Sequence, residues 1–392
     1  MSQDGDSSEV AYDSESDELD QKFLDNVTVK TGLVPVFRVS VTEAVKDGSS
    51  LQFTIMSSRT EREGGLVVTR QFEDIEWLHH QLVTGNDTKG LIVPPLPTKP
   101  EFDPKSAESK SKKQLGPDSN ILKPDDFDLE CKAIQKYLSS MLSHCVLGRD
   151  VNLERFLSEK DAPTRTKISK GIVGKLSLAI DNARKGQHKD IDEYFGKQRE
   201  WCTEYNKAAK ETSQNFNKMV QAQWRLSAAN RNFANALRTL SPSENESTNT
   251  VNRIFSRFAE GIESAQKGLE VQSRNDENLL GFELDLLARS MESVREMLFQ
   301  RTCLLVNYED ATRALEKAKP LKRQAAEDAK MTAESEYTKC TETARKELRT
   351  FMHQRVLAMQ DGLSLFAEAQ MKTSQDTYTL LIRTLKTIQI EM

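Results

Sequence analysis

Hydrophobic residues recur at helical spacing through almost the whole second half of the chain, from Gln187 to Ile390. Because proline interrupts a helix, the two prolines of this region, Pro242 and Pro320, divide it into three helices. Each predicted helix has about 50 to 70 residues and therefore a length of roughly 80 to 105 Å. Helices of this length are stable only when they bury an apolar stripe against one another or against a second chain. The pattern therefore predicts an elongated, dimeric helical bundle.

The third of these helices has the most regular apolar stripe, with a spacing that matches the helical repeat of about 3.6 residues. The stripe consists of Leu348, Met352, Val356, Met359, Leu363 and Phe366. Its expected partners are Trp201, Tyr205, Phe216, Met219 and Trp224 on the first helix, and Leu279, Leu280, Leu284, Leu287 and Met291 on the second. Three helices cannot bury this much apolar surface, so we expect part of it to face a second chain.

The first half of the chain begins with a different pattern. Residues 36–41, 51–55 and 66–70 alternate between apolar and polar, and glycine-containing loops separate these three runs. Alternation with a period of two is typical of strands with one buried face. The pattern predicts a three-stranded antiparallel meander.

Helical spacing replaces the alternation from Phe72 to Leu82. The proline-rich segment 93–100 must then be extended, because each proline fixes its own φ and restricts the preceding residue. A polar insert follows at residues 104–125, and it is too hydrophilic to contribute to a core. Three strands with flanking helices predict an α+β domain over residues 27–160.

Length and charge set the remaining boundaries. A chain of 392 residues is longer than a single core usually organises, so we expect two domains and a tail. Residues 1–26 form the predicted tail, and the first 25 residues contain nine acidic residues and one basic residue, which is typical of disorder. A solubilising role and a cluster of regulated phosphorylation sites both fit this composition. Residues 161–186 form a linker, and residues 187–392 form the bundle.

Several classes of function lack support in the sequence. The five cysteines are scattered without a Cys-x-x-Cys pair, which favours reduced thiols in the cytosol. The five histidines do not pair with cysteines or acids at metal-ligand spacing, and no phosphate-binding loop or hydrolase nucleophile motif occurs. A net charge of -5 and basic segments without interleaved aromatic residues argue against nucleic-acid binding. We expect no enzyme activity, no metal and no cofactor. No apolar run approaches the length of a membrane span, so any membrane contact is predicted to be peripheral.

The linker contains a basic amphipathic segment. Its apolar face consists of Ile168, Ile172, Leu176 and Ile180, and its flanking cations are Lys167, Lys170 and Lys175. Such a segment suits the plane of an anionic membrane, where each lysine contributes about 1 kcal/mol. Gly171 and Gly174 lower its intrinsic helicity, which fits a segment that becomes helical on the bilayer. An ordinary helix packed on the bundle is the alternative.

Two motifs of the first domain resemble those of phox homology (PX) domains. They are residues 69–78, on the third strand and the following helix, and residues 94–99 in the proline-rich segment. Together with the long helices, these motifs make the chain similar to the PX-BAR sorting nexins. Residues 300–310 and 345–348 are most similar to the sorting nexin five and six group. The resemblance implies an α+β PX domain, with a three-stranded antiparallel sheet plus helices, followed by an all-α elongated three-helix BAR domain.

The resemblance also places a lipid-headgroup pocket in the PX domain at Arg70, Gln71, Phe72 and Lys99. Lipid-binding members of the family have an arginine where this chain has Gln71, and that arginine contacts the 3-phosphate. A further arginine of the family corresponds to a position near Glu130. Losing one charge-assisted hydrogen bond costs about 1.5 to 3 kcal/mol. We therefore expect weak or altered recognition of phosphatidylinositol 3-phosphate.

Two further sites follow from the resemblance. In the five and six group the insert forms a helical hairpin that accepts a cargo peptide by strand addition. Phe127 corresponds to a hydrophobic residue that contacts the peptide, and anchoring the start of a helix is its alternative role. The junction of the second and third long helices corresponds to a basic membrane-binding face, for which a solvated surface is the alternative. This face consists of Lys317, Lys319, Lys322, Arg323 and Lys330.

As a whole, the resemblance implies a peripheral adaptor on early endosome membranes and tubules, facing the cytoplasm. Such a protein binds anionic, phosphoinositide-containing membranes, senses or induces curvature and sorts the tails of cargo receptors for endosome-to-Golgi retrograde transport. It would pair with another PX-BAR sorting nexin, of the one and two group, or with itself. A cytosolic coiled-coil scaffold or motor adaptor without membrane remodelling is the alternative function.

Overall fold

The computed structural model describes residues 35–48, 50–60, 64–115, 126–165, 188–240 and 246–390. In the first domain, three strands form one antiparallel sheet in the order of the chain: β1 (Phe37–Asp47), β2 (Ser50–Arg59) and β3 (Gly65–Gln71). The pairing of β1 with β2 shifts once, between Val41 and Glu43. Gly48, with a φ of 57°, provides the left-handed conformation that the tight turn after β1 requires. The predicted three-stranded meander is confirmed.

Within the described residues of this domain there are four α-helices: α1 (Phe72–Gly85), α2 (Pro104–Leu115), α3 (Asp128–Ser143) and α4 (Val151–Ser158). The inner face of the sheet packs against α1 and α3 because the alternating strand residues and the helical stripes are both apolar. Phe53 and Ile55 from β2, Ile75 and Leu78 from α1 and Leu138 from α3 are all fully buried in this core.

The polar insert contains a helix, α2. Asp103 caps the N-terminus of this helix, because the Oδ1 of Asp103 accepts hydrogen bonds from the backbone N–H groups of Lys105 (3.0 Å) and Ser106 (3.1 Å). The helix lies on the surface of its own domain and contacts the first helix of the long bundle, and Ser111 is its buried residue. Residues 116–125 of the insert lie outside the described residues.

The second domain consists of three long helices. The first is α5 (Glu193–Thr239, 47 residues), the second joins α6 (Glu246–Asp276) to α7 (Phe282–Glu316) through a π turn at Glu277–Gly281, and the third is α8 (Arg323–Ile390, 68 residues). A 3-10 turn at Pro320–Lys322 separates the second helix from the third, as the proline predicts. The expected architecture, a small α+β domain followed by an elongated three-helix domain, is confirmed.

A buried carboxylate lies at the π turn. Asp276 is fully buried, and its carboxylate accepts hydrogen bonds from Gln223 of α5 (3.0 Å) and from Gln370 of α8. Burial raises the pKa of Asp276. These hydrogen bonds connect all three long helices at the point where the second one departs from α-helical geometry.

The predicted stripe of α8 is only partly buried within one chain, and its members Met352, Met359 and Phe366 are half-buried. Leu348 is 1% exposed and packs with α5 and α7, whereas Val356 and Leu363 are each 53% exposed. Exposed apolar residues continue along the same end of the bundle. They are Leu226, Phe233, Phe258, Val271, Met371 and Leu385. A single chain therefore leaves much of this end of the bundle uncovered.

A buried ion pair fixes the start of the bundle. The Arg301 side chain of α7 is 1% exposed, and its Nη1 lies 2.6 Å from Oδ2 of Asp190, whose side chain is fully buried. Its Nη2 lies 2.7 Å from the Tyr337 hydroxyl. The guanidinium also stacks 3.6 Å from the centre of the Phe195 ring. These contacts join the segment before α5 to both α7 and α8.

The PX-like domain is docked on the long helices. Gly90, with a φ of 82°, lies so close to α8 that an added Cβ would be 2.6 Å from the carbonyl oxygen of Cys340. Lys89 forms an ion pair with Glu336 at 3.0 Å, and the backbone N–H of Ile92 donates to Glu347 at 3.2 Å. Further contacts reach the π turn, where Lys132 donates to the carbonyl of Asn278, and α7, where Lys136 lies 3.7 Å from Glu283.

Candidate functional site

Arg70 is buried at the end of β3, with 1% of its surface exposed. Its Nη2 donates to the carbonyl oxygen of Phe156 at 2.9 Å and to that of Glu159, and its Nη1 donates to the carbonyl oxygen of Thr69 at 2.9 Å. Burial lowers the pKa of Arg70, although nearby carboxylates oppose the effect. The guanidinium of Arg70 therefore links the C-terminal end of the PX-like domain, at Phe156 and Glu159, to strand β3.

Gln71 lies at the start of α1, where the chain leaves the sheet. Its backbone N–H donates to Oδ2 of Asp74 at 2.7 Å, an interaction that satisfies a donor at the helix start. Its side-chain Oε1 accepts a hydrogen bond from Nη2 of Arg165 at 2.7 Å. A residue 94 positions later in the chain thus brings a guanidinium to Gln71.

Asp74 anchors the same guanidinium. Its side chain is 1% exposed, and its Oδ1 lies 2.7 Å from Nε of Arg165, whose side chain is 40% exposed. The pair is charge-assisted and partly desolvated, so it fixes Arg165 more firmly than a surface ion pair would. No local sequence signal identifies Arg165, because it is one basic residue among several in the linker.

Lys99 and Glu73 form an ion pair beside this cluster, with 2.8 Å between Nζ and Oε1. The hydrogen bond to Glu73 raises the pKa of Lys99. Partial burial would raise the pKa of Glu73, but the hydrogen bond from Lys99 and the charges of Lys99 and Arg165 lower it overall. The carboxylate of Glu73 is thus influenced by both cations.

A cavity of about 440 Å³ opens next to Lys99, between the two domains. Phe72, Lys99 and Glu130 line it from the PX-like domain, and Phe282 and Arg289 line it from α7. Its walls contain three basic and four acidic side chains, namely Lys99, Lys110 and Arg289, and Glu101, Glu130, Glu277 and Asp285. Since acids outnumber bases, the walls have a net negative charge, which disfavours a highly phosphorylated ligand.

Phe127 is the residue that precedes α3. Its partly buried side chain packs against the core of the PX-like domain. Nearby, the backbone N–H of Val41 at the outer edge of β1 donates to Oε1 of Gln135 from α3 at 3.0 Å. A peptide that added a strand there would have to displace Gln135 from this N–H.

Most of the predicted basic face is exposed. Lys317, Lys319, Lys322 and Arg323 surround the 3-10 turn between α7 and α8 and are all exposed, whereas Lys330 is half-buried. Leu321 projects from the middle of this turn and is fully exposed. Among the residues that the structure describes, the four exposed cations take part in no ion pair.

The predicted amphipathic segment lies outside the described residues. Its members are Lys167, Ile168, Lys170, Ile172, Lys175, Leu176 and Ile180. Within the described ranges, no helix combines the length and the apolar character that crossing a membrane requires.

Comparisons with known proteins agree with this architecture. A family model described as "PX domain" matches residues 58–160, and one described as "Vps5 C terminal like" matches residues 169–332. The chain therefore contains a PX domain followed by a Vps5-like C-terminal domain, which is the domain order of the PX-BAR sorting nexins, and those homologues are non-enzymatic adaptors. This pair of domains implies a protein that binds membranes and senses their curvature.

The individual relatives are sorting nexins. The chain is 26% identical to sorting nexin-32 of Mus musculus, over 90% of this chain and 93% of that protein. It is 25% identical to sorting nexin-6 of Homo sapiens, over 88% of this chain and 89% of that protein. Among solved structures, a chain in "The cryo-EM structure of the SNX-BAR Mvp1 tetramer" aligns with a TM-score of 0.41 and 14% identity, covering 90% of this chain and 98% of that chain.

Proposed function

We propose that this protein is a peripheral adaptor of early endosome membranes and tubules that sorts cargo for endosome-to-Golgi retrograde transport. In this function it binds anionic membranes as a dimer, senses or induces their curvature and recruits the tails of cargo receptors. The observation that supports the proposal best is the exposed apolar surface at one end of the bundle, combined with exposed cations at the other.

Dimerisation would cover the exposed apolar residues. Val356 and Leu363 are exposed on a helical stripe whose Leu348 is buried and whose Met352, Met359 and Phe366 are half-buried. Monomeric proteins rarely expose apolar surface of this extent without a partner. The partner is a second copy of this chain or another PX-BAR sorting nexin, such as a member of the one and two group.

Membrane binding would use the basic face at the opposite end. The cations around Pro320 are exposed and lack ion pairs within the described residues, so their charge is available to anionic lipid. Each contributes about 1 kcal/mol near such a surface. A dimer has two of these faces, and both can contact lipid only when the curvature of the membrane matches the dimer. The amphipathic segment of the linker would add apolar contacts.

The PX domain would contribute weak lipid recognition. Gln71 has an amide in place of a cation, and the neighbouring cavity contains more acids than bases. With an amide in place of a guanidinium, a charge-assisted hydrogen bond to phosphate is lost, and such a bond contributes about 1.5 to 3 kcal/mol. We therefore propose that phosphatidylinositol 3-phosphate binds at least tenfold less tightly than it would to an arginine at position 71.

The proposal also includes the binding of a cargo peptide near Phe127. The exposed edge of β1 offers a place for an extended peptide, and Phe127 lies at the start of the helix that borders it. The contacts of Phe127 with the core and of Gln135 with Val41 both compete with this role.

Co-sedimentation of the full chain with vesicles tests the proposed function. Binding should be stronger to small than to large vesicles of the same anionic composition, and it should weaken as salt is added. Replacing Lys319 and Lys322 with glutamate should reduce binding, whereas the same replacements of the exposed Lys105 and Lys112 on α2 should not. A chain that ignores anionic vesicles at low salt would instead support the cytosolic scaffold or motor adaptor.

A further inference from the structure

Arg165 lies where the PX motif lacks a cation. Its Nη2 donates to the side chain of Gln71, and its Nε pairs with Asp74, three residues further on. Arg165 of the linker thereby places a guanidinium next to Gln71, at the position where lipid-binding PX domains have an arginine on the strand.

The geometry of Arg165 leaves one edge of the guanidinium for a ligand. Asp74 is buried and binds the Nε side, so the group cannot rotate freely. Nη2 uses one of its two N–H groups on Gln71, so Nη1 and the second N–H of Nη2 form the edge that can donate paired hydrogen bonds to phosphate oxygens. Within the described ranges, no acceptor contacts Nη1. The side chain is 40% exposed, so a ligand can approach it from solvent.

Lys99 is the second cation of the cluster. Its side chain is 56% exposed, and its only ion-pair partner within the described residues is Glu73. Lys99 binds Glu73, and Arg165 binds Gln71 and Asp74, so the two cations contact neighbouring residues at the start of α1. An anion that reached both cations would have to displace Glu73 from Lys99.

We propose that Arg165 and Lys99 bind a phosphate group, which displaces Glu73 from Lys99. The amide N–H groups of Gln71 remain able to donate to a phosphate oxygen. A phosphate ester near neutral pH carries more charge than a carboxylate and has three terminal oxygens, so the exchange is favourable. Binding stays weaker than at a site with uncompensated cations, because Asp74 and Glu73 already neutralise two positive charges.

The source of the phosphate depends on the proposed lipid-binding function of the PX domain, whereas the phosphate site itself does not. The phosphate could belong to a phosphoinositide in a membrane or to a soluble inositol phosphate. The chemistry at Arg165 and Lys99 is the same in both cases.

Calorimetric titration of the full chain with inositol 1,3-bisphosphate tests the site. Arg165→Gln and Lys99→Gln should each weaken binding by roughly tenfold to a hundredfold. Glu73→Gln should tighten binding severalfold, because it removes the internal competitor. Arg38→Gln, the same change of charge on the exposed outer side of β1, should have no effect.

A structural role for Arg165 must be separated from a binding role. Arg165→Lys keeps a positive charge for Asp74 but lacks the planar fork, so it should retain the melting temperature of the wild type and still lose most of the binding. If Arg165→Gln does not fold, Arg165→Lys and Glu73→Gln decide the outcome. The proposal is wrong if the wild type does not bind the headgroup or if the Arg165 variants bind as Arg38→Gln does.

Vesicles identify the source of the phosphate and separate this inference from the proposed function. If Arg165→Gln weakens binding to vesicles that contain phosphatidylinositol 3-phosphate, the ligand is a lipid. If the substitution weakens binding only to the soluble headgroup, the ligand is a soluble phosphate. Vesicles with phosphatidylserine alone test the basic face of the bundle instead. A wild type that ignores them but binds the headgroup would refute the proposed membrane function and leave the phosphate site intact.

Discussion

Replacing Leu363 with glutamate should prevent dimerisation without unfolding the chain. Leu363 lies on α8 and is 53% exposed, so about half of its apolar surface remains to be covered by a partner. Full burial of a leucine contributes about 1.5 to 3 kcal/mol, so covering the remaining half contributes about 1 kcal/mol. A symmetric dimer contains the residue twice, which gives about 2 kcal/mol and a roughly 30-fold change in dissociation constant. The buried carboxylate adds a further cost.

Light scattering of the full chain over a range of concentrations measures this change. Ser364→Glu introduces the same charge one residue later, at an exposed position that lies off the stripe, and serves as the control. Both variants should keep the helical content and melting temperature of the wild-type monomer. If Leu363→Glu dimerises as readily as Ser364→Glu, the exposed stripe is not the interface, and the argument from its burial is wrong.

Three further predictions concern the folded protein. Asp190→Ala should lower stability by about 3 to 5 kcal/mol in urea unfolding, since it leaves the buried Arg301 without a counter-charge; a loss below 1 kcal/mol would contradict this. Gly90→Ala should loosen the docking of the PX domain and speed amide exchange in α8 near Cys340, because its Cβ would meet a carbonyl oxygen; unchanged exchange would show that the contact is dispensable. Burial raises the pKa of Asp276, so the fold favours the protonated carboxyl. This contribution to the free energy of unfolding is fully present below the unfolded pKa of about 3.9, and it is lost as the pH rises through the higher folded pKa. The stability of Asp276→Asn relative to the wild type should therefore increase over that pH range, and a constant difference would refute the assignment.

The elements of this fold could be predicted from the sequence because their signals are local. Alternation of apolar residues identifies the strands, and Pro320 marks the break between the second and third long helices. The helix in the polar insert was harder to foresee, because its sequence has almost no apolar face. Asp103 at its start was the available signal, since aspartate commonly caps helices.

The candidate phosphate site could be predicted only in part. The strand motif identifies Arg70 and Gln71, but their contacts depend on residues that are distant in sequence. Arg70 binds carbonyl groups in α4 and just after it, and Gln71 binds Arg165. The cavity next to Lys99 also depends on the docking of α7 against the PX domain, which no pattern within either domain predicts.

The two candidate lipid-binding sites differ in whether their cations already form ion pairs, and this difference suggests different functions for them. In the PX domain, Lys99 pairs with Glu73 and Arg165 pairs with Asp74. A ligand must therefore displace a carboxylate, so the geometry of the ligand decides whether it binds. At the turn around Pro320, the exposed cations have no such partner among the described residues, so any anionic surface attracts them. We therefore expect the bundle to supply most of the salt-dependent affinity and the PX domain to supply selectivity among phosphate groups. Since the docking contacts at Gly90 and Glu347 join the two domains, a membrane bound through one domain positions the other.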